Sequence, residues 1–445
     1  MDNAPRVIAS SRRDARRGLH SVGWMTLAQA VGMALRLMSG LILTRLLAPE
    51  AYGLVGPALA VLMTLEWLCD LGIRQALVRE PAGGTSEFLG TGWWIGLLRG
   101  GCLSAAAASL AMPLAAFYGQ PELAGVLAVL ALLPLLQSLQ SPGLPVLRRE
   151  LNYRALFSLE VGQSLAATAV TLAAGWLLHS AWAIVAGTLA GAAAAAAISF
   201  WISPVRTIPS WDRPAARRLL RVSRPVLLNT LLMALLLNSD RLFGLRLVSI
   251  EAMGLYAVAW NLAGVFDSLL SRGCDVYYSL LARTTDPVAR TVRHHRVCRS
   301  LAWVMPGLAV GVVAAPWAVW LLYDPRYAGS GIPFALLMAR LMARALGQVQ
   351  FQYLMANADL RRATLAYLAA ILVQAGTLIP LALRYGVIGL AGAGVLSAAV
   401  LTLTQSILLW RRGEGRLAPC LLTLGSMALA VCLLLRMPEL ERLYP

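Results

Sequence analysis

Long runs of nearly uninterrupted apolar residues recur from one end of this chain to the other, and most of the arginines are gathered in the short segments between them. About 20 apolar residues are what a helix needs to cross the hydrocarbon core of a bilayer, where a segment must satisfy its own backbone. We read spans at approximately 22–44, 53–73, 90–117, 122–146, 157–179, 181–203, 224–247, 252–280, 299–323, 331–356, 363–384 and 386–410. A thirteenth run, 418–435, is shorter and reads either as a further span or as an appended interfacial helix. Of the 445 residues 59% are hydrophobic and 13% charged, about half the charged share of a soluble chain. The net charge of +17 is spread over short segments rather than gathered on one basic domain, which argues against a nucleic-acid partner.

Charge also orients the chain. The segments assigned to the cytoplasm carry Arg6 to Arg17, Arg74 and Arg79, Arg148 to Arg154, Arg206 to Arg224, Arg283 to Arg299, Arg361 and Arg362, and Arg411 to Arg416. The alternate segments carry only Arg45, Arg246, Arg326, Arg384, Arg436 and Arg442. Such asymmetry predicts a chain in a cytoplasmic membrane with its N-terminus in the cytoplasm. Trp211–Pro225 reads as an interfacial helix, with Asp212 as N-cap, Pro214 in the first turn, and arginines facing anionic lipid headgroups. The six cysteines have no paired spacing and read as buried free thiols. His294 and His295 read as solvated in a basic loop.

One internal repeat stands out. The stretch Arg45-Leu46-Leu47-Ala48-Pro49-Glu50-Ala51-Tyr52-Gly53-Leu54 aligns without gaps to Arg246-Leu247-Val248-Ser249-Ile250-Glu251-Ala252-Met253-Gly254-Leu255. Six spans separate the copies, so both halves have the same orientation and are related by an axis along the membrane normal. The expected fold is therefore an all-α polytopic membrane protein, with 12–14 transmembrane helices in two parallel six-helix lobes. The expected segments are a basic N-terminus (1–20), an N-lobe (21–203), a linker helix (204–223), a C-lobe (224–411) and an extra helix with a tail (412–445).

Charged residues inside spans carry the functional signal. Arg36, Arg99, Arg241, Arg272, Arg340 and Arg344 fall at membrane depth. If all six faced lipid, the cost would be on the order of 15–20 kcal/mol. Two readings are open. They pair with Glu66, Asp70, Asp240, Asp267 and Asp275 to lock helices together, or they line a wet cationic cavity. Helical spacing supports the cavity. Gln29, Gly32, Arg36 and Ser39 share one face, as do Asn261, Ser268, Arg272, Asp275 and Ser279; Arg340, Arg344 and Gln348 share another. Asn238 and Arg241 also share a face, and Asp240 points roughly 100° away from it. An arginine fork matches phosphate and carboxylate oxygens, so the expected cargo is anionic, with a phosphate or pyrophosphate group. Glu66, Asp70 and Arg74 form a ladder that is either a structural pair at a helix end or, with Asp275, a site for proton or sodium coupling. No cofactor or metal is expected. There is no phosphate-binding loop, nucleophile elbow or metal-ligand spacing, and the extracytoplasmic segments are short, so an enzyme is not expected.

Four stretches then carry a family resemblance. They are Thr44 to Leu54 running into Cys69-Asp70-Leu71-Gly72-Ile73; Leu147-Arg148-Arg149-Glu150-Leu151-Asn152-Tyr153-Arg154-Ala155-Leu156; Ala181 to Gly187; and Asn238-Ser239-Asp240-Arg241-Leu242 running to Gly254-Leu255-Tyr256. In this order the chain resembles the polysaccharide-transporter branch, with its Wzx-like oligosaccharide flippases, of the multidrug/oligosaccharidyl-lipid/polysaccharide flippase superfamily. The resemblance implies alternating access and a cargo of undecaprenyl-pyrophosphate-linked sugar repeat units, with Asp240 and Arg241 lining the cavity. It implies neighbours in the polymerase and glycosyltransferases of an exopolysaccharide, capsule or O-antigen pathway. The chain departs from the pattern at Cys274-Asp275-Val276-Tyr277-Tyr278. The alternatives weighed are a cation-coupled multidrug exporter, which calls for an acidic and aromatic cavity, and a membrane glycosyltransferase or polymerase, which calls for a long extracytoplasmic loop.

Overall fold

The computed structural model describes residues 30–69, 85–150, 152–203, 210–217, 227–282, 286–357 and 359–436, with Leu27 and Thr284. Among these residues the regular structure is helical and no strand occurs. We label the helices α1 (30–46), α2 (Pro49–Leu68), α3 (Ser86–Tyr118), α4 (Glu122–Leu130), α5 (Leu133–Ser138), α6 (Leu144–Arg149), α7 (Tyr153–Leu178), α8 (Trp182–Ile202), α9 (Leu227–Leu247), α10 (Ile250–Ala282), α11 (Pro287–Leu322), α12 (Gly331–Ala356), α13 (Leu360–Trp410) and α14 (Leu417–Leu435). Nine helical stretches among the described residues are long and apolar enough to cross a membrane. α9 is not one of them, since Asp240, Arg241 and Arg246 lower its hydropathy.

Several sequence expectations need correction. The span expected at 122–146 is not one helix but three short ones, α4, α5 and α6. Pro134, Pro142 and Pro145 lie in this stretch, and a proline in a helix interior removes a donor and clashes with the preceding turn. The freed backbone groups find side chains: Leu135 N donates to Ser104 Oγ (3.2 Å), Ser141 N to Ser199 Oγ (2.8 Å), and Trp93 Nε1 to the Gln140 carbonyl (3.0 Å). The span expected at 299–323 begins twelve residues earlier, at Pro287. Asp286 caps it by accepting from Val288 N and Ala289 N at 3.0 and 3.2 Å, and Pro287 occupies the first helical position. Arg290, Arg293, His294, His295 and Arg296 are therefore on a helix rather than in a loop. His294 is buried, not solvated, and its ring stacks on Tyr353 with centroids 4.3 Å apart. The spans at 363–384 and 386–410 run as one element, α13, turned at Gly386, whose φ of +58° and ψ of −133° are open in practice only to glycine. α14 is a single helix of 19 residues, about 28 Å long at 1.5 Å per residue. All six cysteines are free, but Cys102 and Cys432 are exposed rather than buried.

The chain forms two compact units that do not follow sequence order. The first comprises Met1–Leu46, Cys69–Ala116 and Gln120–Leu227; the second comprises Leu47–Leu68, Phe117–Gly119 and Leu228–Pro445. In the first, α7 and α8 form a hairpin whose close approach depends on small residues, since a Cβ at Gly187 would overlap Thr171 and one at Gly191 would press on Ala167. Asn152 caps α7, and His179 takes the left-handed conformation (φ 47°) that ends it. Of the expected linker helix, 213–217 is helical, and Asp212 accepts from Ala215 N at 2.9 Å as an N-cap. Asp212 N in turn donates to Thr91 Oγ1 on α3 at 2.9 Å. Leu219, Leu220 and Val222 lie outside the described residues.

In the second unit α12 is the central helix, buried over most of its length and packed against α10, α11 and α13. The repeat appears here as geometry. α2 starts at Pro49 and α10 at Ile250, and these positions match in the alignment. The two helices cross reciprocally. A Cβ at Gly53 would overlap the Ile250 carbonyl oxygen, and a Cβ at Gly254 would overlap the Pro49 carbonyl oxygen. Tyr327 fastens the same region, donating its hydroxyl to the Leu47 carbonyl at 2.9 Å and packing edge-on against Tyr52 at 5.8 Å.

Candidate functional site: a buried arginine cluster in the second unit

The site grows from α9, α10 and α12. On α9, Asn238, Asp240 and Arg241 fall within one turn and are all buried. Their side chains diverge because successive residues point 100° apart. Asp240 faces α12 and forms an ion pair with Arg340, Nη1 to Oδ2, at 2.7 Å. The carboxylate is fully buried and the guanidinium 5% exposed, so the pair is out of water. Tyr256 on α10 donates its hydroxyl to the same carboxylate oxygen at 2.5 Å, and Arg241 N donates to the other at 3.0 Å. Arg340 Nη2 donates to the Leu236 carbonyl at 3.0 Å. Gly394 makes room for this guanidinium, since a Cβ there would sit 3.1 Å from Arg340 Nη1. Both carboxylate oxygens of Asp240 are thus hydrogen-bonded, as a buried carboxylate requires.

Arg241 is placed differently. It donates to Asn238 Oδ1, and Asn238 is itself held by a bond from Nδ2 to the Ala234 carbonyl (3.0 Å). Its guanidinium lies over the ring of Trp260 with 4.2 Å to the centroid. Arg340 lies over the same ring at 5.4 Å. Among the described residues no carboxylate is ion-paired to Arg241, and its Nε is buried without a hydrogen-bond partner. One helical turn from Arg340, Arg344 pairs with Asp267 of α10 at 2.9 Å and donates to Gln348 Oε1 at 3.3 Å. Among the described residues three arginines therefore meet two carboxylates, which leaves the cluster with a surplus positive charge. An aromatic face attracts a guanidinium without neutralising it. The net positive charge of the cluster favours an anion over a cation.

Among the residues predicted from sequence, Asp240, Arg241, Arg340, Arg344 and Gln348 come together. Arg272 and Asp275 are exposed on α10, outside the ion pairs of this buried cluster. Arg36 is exposed and Arg99 half-buried in the first unit, and Glu66 is half-buried on α2. Asp70 and Arg74 lie outside the described residues. Helix pairing by Asp240 and Asp267, weighed above against the cavity reading, is real for Arg340 and Arg344 and does not extend to Arg241. Tyr256 and Trp260 were missed as members. Their i, i+4 spacing on α10, just after the repeated glycine, was the available signal. The charges belong to one half of the repeat, since Ser39 and Gly40 stand at the positions aligned with Asp240 and Arg241.

Comparison with known proteins places this fold. The "Lipid II flippase MurJ, inward closed conformation" is similar with a TM-score of 0.66, 12% identity and coverage of 92% of this chain and 91% of that one. An inward-facing multidrug resistance MATE family transporter of the MOP superfamily has the same TM-score, 14% identity and coverage of 88% and 99%. At such identities the likeness is one of fold. The "Succinoglycan biosynthesis transport protein ExoT" of Rhizobium meliloti (strain 1021) is 26% identical over 318 residues, which are 70% of this chain and 62% of that protein. The chain thus spans less than two thirds of that relative's length. The family profile described as "Polysaccharide biosynthesis protein" matches residues 42–331, from the end of α1 to the start of α12 and through Asp240 and Arg241. A match over that much of the sequence assigns the chain to the polysaccharide biosynthesis protein family.

Proposed function

We propose that the chain is a flippase that carries an undecaprenyl-pyrophosphate-linked oligosaccharide repeat unit from the inner to the outer leaflet of the cytoplasmic membrane by alternating access, its N-terminus in the cytoplasm, for export of an exopolysaccharide, capsule or O-antigen. One observation carries the reading: Arg241 is buried, ordered by Asn238 and Trp260, and makes no ion pair among the described residues. The pyrophosphate is held at Arg241, with Arg340 and Arg344 behind it, each prevented by its carboxylate from binding the cargo too tightly to release. The name of the Rhizobium relative supports a polysaccharide cargo.

The energetics need no bond chemistry. Moving one charge across 100 mV is worth about 2.3 kcal/mol. An inside-negative potential therefore favours outward movement of a dianion by about twice that. Proton or sodium coupling at Glu66, Asp70 or Asp275 is not needed on that step and serves the return of the empty carrier. The polymerase and glycosyltransferases of the pathway are the expected neighbours, as consumers and suppliers of the cargo. The positive surplus at the cluster argues against the cationic-drug reading.

The test is transfer of a fluorescent undecaprenyl-pyrophosphate disaccharide between leaflets of proteoliposomes. Wild type is expected to move it and to leave cationic dyes untouched. Export of dyes without movement of the lipid sinks the proposal.

A further inference from the structure

A cavity of about 270 Å³ opens where α11, α12, α13 and α14 meet in the second unit, and no residue of the arginine cluster lines it. Its wall is largely apolar and includes Trp303 and Leu422, both exposed at its mouth. Arg299 and Arg416 stand at one end, both exposed, and neither has an ion-pair partner among the described residues. His295, between them, bonds through Nε2 to the Glu414 carbonyl at 3.1 Å, and both arginines are close enough to act on its ring electrostatically. Deeper in, Gln350 is 4% exposed. It donates from Nε2 to Ser406 at 2.7 Å, and its Oε1 is buried without a hydrogen-bond partner.

Depth tells what fits. α11 has 36 residues, about 54 Å at 1.5 Å per residue, against a hydrocarbon core of about 30 Å. Its charged part ends at Arg299, and the apolar part beyond it is long enough to span the core. α14 begins directly after Arg416. Both arginines therefore stand at the polar edge of an apolar span, with Trp303 one turn inward, where amphipathic rings settle. We propose that this cavity binds an anionic glycerophospholipid of the surrounding bilayer: its phosphate lies between Arg299 and Arg416, and one acyl chain follows Trp303 and Leu422. The site is independent of what the chain transports.

Native mass spectrometry of the full chain in mild detergent, titrated with phosphatidylglycerol or phosphatidylcholine, tests this. Wild type is expected to retain phosphatidylglycerol at least tenfold more tightly than phosphatidylcholine. Replacing both cations (Arg299→Gln with Arg416→Gln) should weaken phosphatidylglycerol by roughly thirty-fold, which is about 2 kcal/mol at about 1 kcal/mol per interfacial arginine. Ala418→Trp, which fills the cavity from an exposed position, should weaken both lipids and leave thermal unfolding unchanged. The proposal is overturned if the double variant binds like wild type, or if phosphatidylcholine binds equally well. It is likewise overturned if soluble glycerophosphoglycerol displaces the lipid at equal concentration, if undecaprenyl pyrophosphate is preferred at this cavity, or if Ala418→Trp instead dissociates a dimer.

Discussion

Replacing Arg340 by Met leaves the Asp240 carboxylate fully buried with only the Tyr256 hydroxyl and one backbone N–H as donors. Breaking a buried ion pair from one side costs about 3–5 kcal/mol, because the remaining charge is desolvated and uncompensated. Asp240→Leu should cost as much, since it strands the Arg340 guanidinium at 5% exposure. Together the two substitutions remove both charges and replace them with apolar groups of similar volume, which is often close to neutral. What remains lost is the Tyr256 hydrogen bond and the packing of Arg340 over Trp260, about 1 kcal/mol each. The double variant should therefore fall only about 2 kcal/mol below wild type, and above both single variants. Arg241→Met should also cost about 2 kcal/mol, having no carboxylate to strand. Thermal unfolding of the detergent-solubilised chain, followed by size-exclusion chromatography, ranks the four. If the double variant is no more stable than the worse single one, or Arg340→Met matches wild type, the division into a structural pair and a free Arg241 is wrong.

Three further outcomes follow from the backbone and the caps. Gly53→Ala and Gly254→Ala should each lower stability by about 3 kcal/mol, because a new methyl meets backbone rather than a movable side chain; Gly264→Ala on α10, where nothing lies within 4 Å, should be silent in the same unfolding assay. Gly386→Ala meets no neighbour, yet should cost about 1–3 kcal/mol from its backbone conformation alone. Asp286→Ala should cost about 1 kcal/mol by uncapping α11, and limited proteolysis near 284–290 should speed up accordingly.

Much of the fold is legible where an apolar run is unbroken and bounded by turn residues; the span expected at 331–356 coincides with α12. Hydropathy does not register how prolines break a backbone, so the run at 122–146 looked continuous. It also ends a helix where the charges begin, which hid the first twelve residues of α11, although Asp286-Pro287 is a helix start in its own right. The repeat was readable because Gly53 and Gly254 are required by a backbone crossing that no other residue allows. Within the site, spacing along α9 separated Asp240 from Arg241 correctly. What spacing could not supply was the partner. Arg340 lies 100 residues from Asp240, and only the tertiary fold, which lets the Arg340 side chain reach α9, decides that it, and not Arg241, takes the carboxylate. Trp260 stayed hidden because an aromatic residue in an apolar span has no local feature that distinguishes packing from a stack beneath two guanidinium groups.

The most direct measurement is the rate at which proteoliposomes containing wild type or Arg241→Gln, matched for folded protein, move a fluorescent undecaprenyl-pyrophosphate disaccharide under an inside-negative potential. A hydrogen bond to a charged group is worth about 1.5–3 kcal/mol. Arg241→Gln should therefore slow transfer by roughly ten- to a hundred-fold while unfolding within a few degrees of wild type. Transfer by the variant at the wild-type rate would contradict the assignment of Arg241 as the group that holds the pyrophosphate.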